Sequence, residues 1–202
     1  MSIEFEIKLA LPLRIRTARV ERAFAEVSGI SLGEWSDHLQ ENTYFDSSDG
    51  AIRRARIALR HRMVDGRHVL TVKTAGEGGA RHEWEREFDG GSLAEALRGL
   101  AIETPLPPIE ALIRGETEPV AIAGTDYVRR KCIARYRGSE IELAIDRGEL
   151  SRPGVTRRFA ELELELLEGS EEDVRDLAET VRRALALRYE THGKLARALG
   201  SK

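Results

Sequence analysis

Charged and apolar residues alternate from the start of the chain, in Ile3-Glu4-Phe5-Glu6-Ile7-Lys8-Leu9. Successive side chains of an extended strand point to opposite faces. Glu4, Glu6 and Lys8 therefore share one face, and Ile3, Phe5, Ile7 and Leu9 the other. The same device returns in Ala160-Glu161-Leu162-Glu163-Leu164-Glu165-Leu166, with carboxylates opposite leucines. Between them the two-residue period recurs with cations. Arg60 and Arg62 share a face, and Lys73 lies opposite Leu70 and Val72. Arg81, Glu83 and Glu85 oppose Trp84 and Phe88. Arg129, Lys131 and Arg135 oppose Val128, Cys132 and Ala134, with Arg130 breaking the alternation. Glu142 and Asp146 oppose Ile141, Leu143 and Ile145. Each strand reads as one apolar face and one ionic face.

The remaining pattern supplies turns and helices. Residues 17–27 read as a helix with Thr17 as its N-cap, Val20, Ala23, Phe24 and Val27 on one face, and Gly29 just beyond. Residues 31–45 turn strand-like, and Ser47-Ser48-Asp49-Gly50 is a turn before a short helix at 51–55. Asp65-Gly66 joins strands at 57–63 and 68–74 as a tight hairpin. Gly76-Glu77-Gly78-Gly79 reads as a flexible loop, and the strand at 81–88 that follows it argues against a phosphate-cradling loop, which opens a helix. A helix is expected at 93–100. Pro105, Pro107 and Pro108 read as a connection between two halves of one sheet. Strands follow at 127–137, 140–149 and 156–167, with Gly138-Ser139 as a turn, then helices at 171–187 and 191–199. About eight strands joined by short turns imply antiparallel pairing and an α+β domain over residues 1–202, and eight is the number that closes a barrel around a small interior.

Composition narrows the function. A chain of 202 residues with 41% hydrophobic and 33% charged content is long enough to bury a core. Its 32 basic and 35 acidic residues balance to a net charge of -3, so no global attraction to nucleic acid is expected. Cys132 is the one cysteine, which excludes an internal disulfide and suits a reducing compartment. No signal-peptide core and no membrane-length apolar run is present, so a cytoplasmic protein without membrane partners is expected.

Two strands that align carboxylates repel each other unless cations intervene, and hard divalent ions with oxygen ligands are natural mediators. A solvated sheet face is the plain alternative. The segregation favours a lumen: acids gather on the first and last strands and near Asp146, with Arg60, Arg62, Lys73 and Arg129 between. With helices over the apolar outer faces, such a lumen would bind a polyanion through its cations, a metal bridging the anion to the carboxylates.

Glu4-x-Glu6-x-Lys8 also resembles the signature of the CYTH superfamily, the triphosphate tunnel metalloenzymes. The likeness extends in order through Thr43-Tyr44-Phe45-Asp46, Ala58-Leu59-Arg60-His61-Arg62, Thr71-Val72-Lys73-Thr74, Arg81-His82-Glu83-Trp84-Glu85, residues 140–148, Glu161-Leu162-Glu163-Leu164-Glu165 and Lys194-Leu195-Ala196-Arg197. It implies an eight-stranded antiparallel barrel forming a tunnel and a triphosphate substrate handled with Mg²⁺ or Mn²⁺. By matching position, Glu4, Glu6, Glu161 and Glu163 are metal carboxylates, with Glu83 and Asp146 as supporting acids. Lys8, Arg60, Arg62, Lys73, Arg129 and Lys194 are phosphate ligands, Arg130 being the alternative to Arg129. Glu4, Glu6, Lys8 and Lys73 stand closest to the chemistry. Glu165 shares the face of Glu161 and Glu163 and is placed beyond the metal. Arg56 replaces a common glycine, and His192-Gly193 replaces the serine that often precedes the terminal lysine. The resemblance is to single-domain bacterial inorganic triphosphatases. The alternatives are a class IV adenylyl cyclase, a thiamine or nucleoside triphosphatase, and a module that holds polyphosphate or nucleotide without turnover. A homodimer is compatible with all of these.

Overall fold

The computed structural model describes residues 5–75, 81–100, 102 and 105–200. In chain order the elements are β1 (Glu6–Ala10), α1 (Thr17–Ala25), β2 (Ile30–Leu32), β3 (Ser36–Ser47), α2 (Ala51–Arg54), β4 (Ile57–Val64), β5 (Arg67–Ala75) and β6 (Arg81–Phe88). They continue with α3 (Leu93–Arg98), α4 (Pro107–Arg114), β7 (Pro119–Tyr136), β8 (Ser139–Arg152), β9 (Val155–Glu168), α5 (Glu171–Leu185), β10 (Arg188–Tyr189) and α6 (Lys194–Leu199). The strands form one sheet in the order β10-β1-β9-β8-β7-β3-β4-β5-β6, with β2 also on β7. Every pairing is antiparallel. The eight longer strands match the eight expected, the stretch at 31–45 being divided into β2 and β3; β10 is a short addition. Among the described residues no ladder joins β6 back to β1.

The outer faces carry the apolar half of each alternation, and the helices cover them. Leu9, Leu143, Leu162 and Leu164 pack with Phe24 of α1 and with Leu177 and Val181 of α5. α5 buries Val174, Leu177, Ala178, Val181 and Leu185, spaced by three or four residues so that one stripe meets the sheet. Each fully buried Val or Leu contributes about 1.5–3 kcal/mol. A second cluster joins Leu59, Leu70 and Val72 to Ile52, Leu97 and Ile109 beneath α2, α3 and α4. Apolar burial outside thus turns the ionic face of the sheet inward.

Four local expectations are corrected. Thr17 does not cap α1: Arg16 holds the N-cap position without a side-chain bond, and Thr17 Oγ1 instead accepts from Arg147 Nε at 3.1 Å, tying the helix to β8. Pro107 and Pro108 do not merely connect; they open α4, where a missing N–H costs nothing. β7 starts at Pro119, eight residues before the expected 127, because pairing with β3 draws in the weakly patterned Ala-Gly stretch. The Asp65-Gly66 hairpin holds, with φ of 48° and 80° matching a type I′ turn. The second hairpin turn is Arg137-Gly138, with φ of 50° and 95° and Ser139 already in β8. Gly76-Glu77-Gly78-Gly79 lies outside the described residues. No helix among the described residues is long and apolar enough to cross a membrane.

Candidate functional site

The inward side chains surround a cavity of about 430 Å³. Its wall takes Glu6 and Lys8 from one end of the sheet and Glu83 and Glu85 from the other, so the sheet curls until both ends face the same space.

One wall is built on β8 and β9. Their register sets Asp146 opposite Glu161 and Ala144 opposite Glu163. Carboxylate oxygens of Asp146, Glu161 and Glu163 therefore lie within 4.8 Å of one another, and all three residues are buried. Buried carboxylates this close need cations. Arg129, facing them from β7, grips Asp146 through Nε at 2.9 Å and Nη2 at 2.7 Å and also donates to Glu163. Lys194, the first residue of α6, places its ammonium 2.8 Å from Asp146, 2.9 Å from Glu163 and in contact with Glu161. Arg197, three residues on and therefore on the same helix face, donates to the other oxygen of Glu161. The rings of Tyr127 and Phe159 lie 5.0 and 5.8 Å from the Lys194 ammonium. Burial works to raise the Glu163 carboxyl, but Lys194, Arg129 and Lys8 outweigh it and hold it well below the usual range. Burial likewise opposes the charge on Lys194, and Glu163, Asp146 and Glu161 hold its pKa well above the ordinary value.

The facing wall comes from β4, β5 and β6. Arg60 donates to Thr71 Oγ1 at 3.1 Å and to Glu85 at 3.2 Å, with Glu83 at 3.8 Å. Lys73 pairs with Glu83. Arg62 differs. Its Nε donates to the amide oxygen of Asn42 at 3.2 Å, and among the described residues it makes no ion pair. Burial, then the nearby Arg60 charge, lowers its pKa. This cavity-lining guanidinium is solvated by an amide where its neighbours have carboxylates.

Of the residues singled out in the sequence, Glu6, Lys8, Arg60, Arg62, Lys73, Glu83, Arg129, Glu163 and Lys194 line the cavity. Glu4 lies outside the described residues. Asp146 and Glu161 sit behind the wall, in contact with Lys194. Glu83 is across the cavity, paired with Lys73, and not in the three-carboxylate cluster. Glu6 meets Lys8 at 2.6 Å and pairs in register with Glu165, while Lys8 pairs with Glu163. Glu165, placed beyond the metal on sequence, is itself part of the wall. Arg130 points away, to Glu21 and to Asp37 at 3.1 Å, so Arg129 is the cavity arginine. His61 is a partner of His68 at 2.8 Å, packed on Phe88 outside the cavity.

Sequence reading set Glu85, Lys131 and Glu142 on ionic faces and Arg197 in the terminal motif but gave none of them a role; Glu85 bonds Arg60, and the Lys131–Glu142 pair at 2.7 Å also lines the wall. The three-residue spacing from Lys194 was the available signal for Arg197. Gln40 was missed too: it lines the cavity beside Val64, its partner in register, and its buried Oε1 accepts no hydrogen bond among the described residues.

By donor type the Asp146, Glu161 and Glu163 cluster fits a hard divalent cation, and the Lys194 ammonium stands where such an ion would meet all three.

Comparison with known proteins agrees with this architecture. An inorganic triphosphatase of Haemophilus influenzae is 26% identical over 178 residues, covering 88% of this chain and 49% of the relative. The chain thus spans about half the length of that relative. Among solved structures, an adenylyl cyclase candidate from Hippeastrum with a dominant triphosphatase activity superposes with a TM-score of 0.60 at 22% identity, covering 99% of this chain and 97% of its own. An adenylate cyclase candidate from Bacillus halodurans gives 0.60 at 18% identity, covering 98% of each chain. These likenesses establish the fold. The CYTH domain family matches residues 2–199, which take in every described strand of the sheet wound around the ionic cavity, and the chain belongs to that family.

Proposed function

We propose that the cavity binds and hydrolyses a triphosphate, inorganic triphosphate first, releasing pyrophosphate and phosphate. The observation that carries this reading is Arg62, a cavity guanidinium that bonds the Asn42 amide and makes no ion pair among the described residues. It is flanked by the further cations Lys8, Arg60, Lys73, Arg129 and Lys194. A tripolyphosphate chain offers oxygens along its whole length, which suits cations arriving from several strands. Phosphoryl transfer asks for alignment and charge neutralisation more than for covalent help. Arg60, Arg62 and Arg129 would fork phosphate oxygens in fixed planes, and Lys8, Lys73 and Lys194 would act as point charges. Glu83 and Glu85 keep Lys73 and Arg60 oriented toward the anion. Asp146, Glu161 and Glu163, with Glu6 and the carboxylate expected from the sequence at Glu4, would hold Mg²⁺ or Mn²⁺, which when bound neutralises phosphate charge and lowers the pKa of a coordinated water. The name of the Haemophilus relative supports the inorganic substrate, and the family match over residues 2–199 supports reading the chain as one domain.

A second reading rests on Gln40. Its carbonyl, without a donor among the described residues, and the apolar Val64 and Val69 form a part of the wall that a bare polyphosphate does not use. They suit an organic substituent bearing an N–H donor, as on a nucleoside or thiamine triphosphate. Incubation with tripolyphosphate, ATP and thiamine triphosphate, each with Mg²⁺ or Mn²⁺, separates the two. Phosphate and pyrophosphate released fastest from tripolyphosphate is the expected result. Cyclic AMP from ATP with inert tripolyphosphate would overturn it, and tight binding without any phosphate release would leave a binding module.

A further inference from the structure

The three-carboxylate cluster is already electrically closed. Asp146, Glu161 and Glu163 bring three carboxyl groups, the Glu161 one pushed up by burial, and Arg129, Lys194 and Arg197 contact them with three positive charges. Lys8 stands a further 3.8 Å from Glu163. A divalent ion entering this arrangement would add two positive charges to a buried, balanced group, at short range and out of bulk water, where like charges repel strongly. It would also have to take the place of the Lys194 ammonium.

A triphosphate changes that balance. Lys8, Arg129 and Lys194 all line the cavity, so a polyanion inside it competes with the carboxylates for the same three cations. Arg197 is not part of the wall, and among the described residues its guanidinium also meets Glu190 at 3.5 Å and the ring of Phe159. It keeps one oxygen of Glu161 while the other faces the position that Lys194 leaves.

We propose that Lys194 is an intramolecular competitor of the divalent cation, holding the Asp146–Glu161–Glu163 cluster closed until a triphosphate draws it away. Metal and triphosphate then bind with positive coupling, and Arg197 is a positioning residue for Glu161. The inference rests on the triphosphate reading of the cavity, but its first test does not use the anion.

Binding of Mn²⁺ alone is measured by electron paramagnetic resonance of the free ion, on the full chain without phosphate. Lys194→Met should bind Mn²⁺ at least about tenfold more tightly than the unsubstituted protein, because a unit charge within contact distance has been removed. Lys194→Arg, which keeps the charge, should stay near the unsubstituted value. Equal or weaker Mn²⁺ binding by a folded Lys194→Met protein would overturn the proposal. A second measurement needs no substitution: in EDTA, tripolyphosphate should accelerate amide exchange at residues 194–199. Calorimetric binding of tripolyphosphate with α6 exchange unchanged would also overturn it. Absence of tripolyphosphate binding would instead count against the proposed function, and the Mn²⁺ comparison would still decide the role of Lys194.

Discussion

Arg129 and Arg130 are adjacent and chemically identical, and the strand pleat gives them different energetics. Arg129 makes a bidentate bond to fully buried Asp146, while half-buried Arg130 pairs with Glu21 and Asp37 on the outer face. Removing one partner of a buried pair leaves an uncompensated charge and costs about 3–5 kcal/mol, whereas solvent-exposed pairs contribute about 0–1 kcal/mol. Lys194 still contacts Asp146 when Arg129 is gone, so Arg129→Ala belongs near the lower end, about 3 kcal/mol. Arg130→Ala should cost about 1 kcal/mol or less. Urea unfolding of the two variants checks this, and equal losses would contradict the assignment of faces. Arg129→Ala should also weaken tripolyphosphate binding, with Arg130→Ala leaving it intact. The alternation alone put Arg129 on the ionic face, but an arginine on the apolar face looked like a broken pattern. What was not legible was Glu21, 109 residues away, which makes Arg130 a regular outward residue at the rim of α1.

At the scale of elements, facing was legible and register was not. A period of two says that Glu6 and Glu165 look inward, but not that they stand opposite each other with Lys8 opposite Glu163. A shift by two residues keeps every side chain on its face while changing every partner, so hydrophobic patterning does not choose between such registers. Close strand contacts do. Gly148 on β8 pairs with Tyr127 on β7, and a Cβ there would stand 2.0 Å from the Asp126 carbonyl oxygen and 2.5 Å from the Tyr127 Cα. These are backbone atoms, which cannot rotate away. Gly148→Ala must therefore push β7 from β8 and move the ring of Tyr127, which lines the cavity and lies against Lys194. Overpacking of this kind costs about 1–3 kcal/mol, which for a chain of this size lowers Tm by about 2–4 °C per kcal/mol. Differential scanning calorimetry should show that drop, together with weaker tripolyphosphate binding. An unchanged Tm would mean that the two strands do not approach as described.

The whole molecule is an ionic interior inside an apolar wrapping, and its stability should carry the signature of both signs of charge. Glu163 has a folded pKa well below its ordinary value of 4.5, burial being outweighed by Lys194, Arg129 and Lys8 in that order. A depressed carboxyl binds fewer protons folded than unfolded, so its stabilisation is fully present above the unfolded pKa and is lost as pH falls through the folded one. Lys194 has a folded pKa well above 10.5, burial being outweighed by Glu163, Asp146 and Glu161. Its contribution is fully present below the unfolded pKa and is lost as pH rises through the folded one. The urea midpoint should therefore hold a plateau from about pH 5 to about pH 10 and fall on either side. Lys194→Met tests the linkage, because it removes the largest of the cationic influences on Glu163 and leaves burial acting to raise that carboxyl. The acid limb below pH 4.5 should shrink in this variant, and the midpoint at pH 7 should fall relative to pH 5 as the buried carboxylates ionise without their partner. An acid limb unchanged by Lys194→Met would mean that other carboxylates dominate it, such as Glu179, which Arg182 and Arg183 hold down to about 2 on the surface, and the interior would then be electrostatically quieter than its geometry implies.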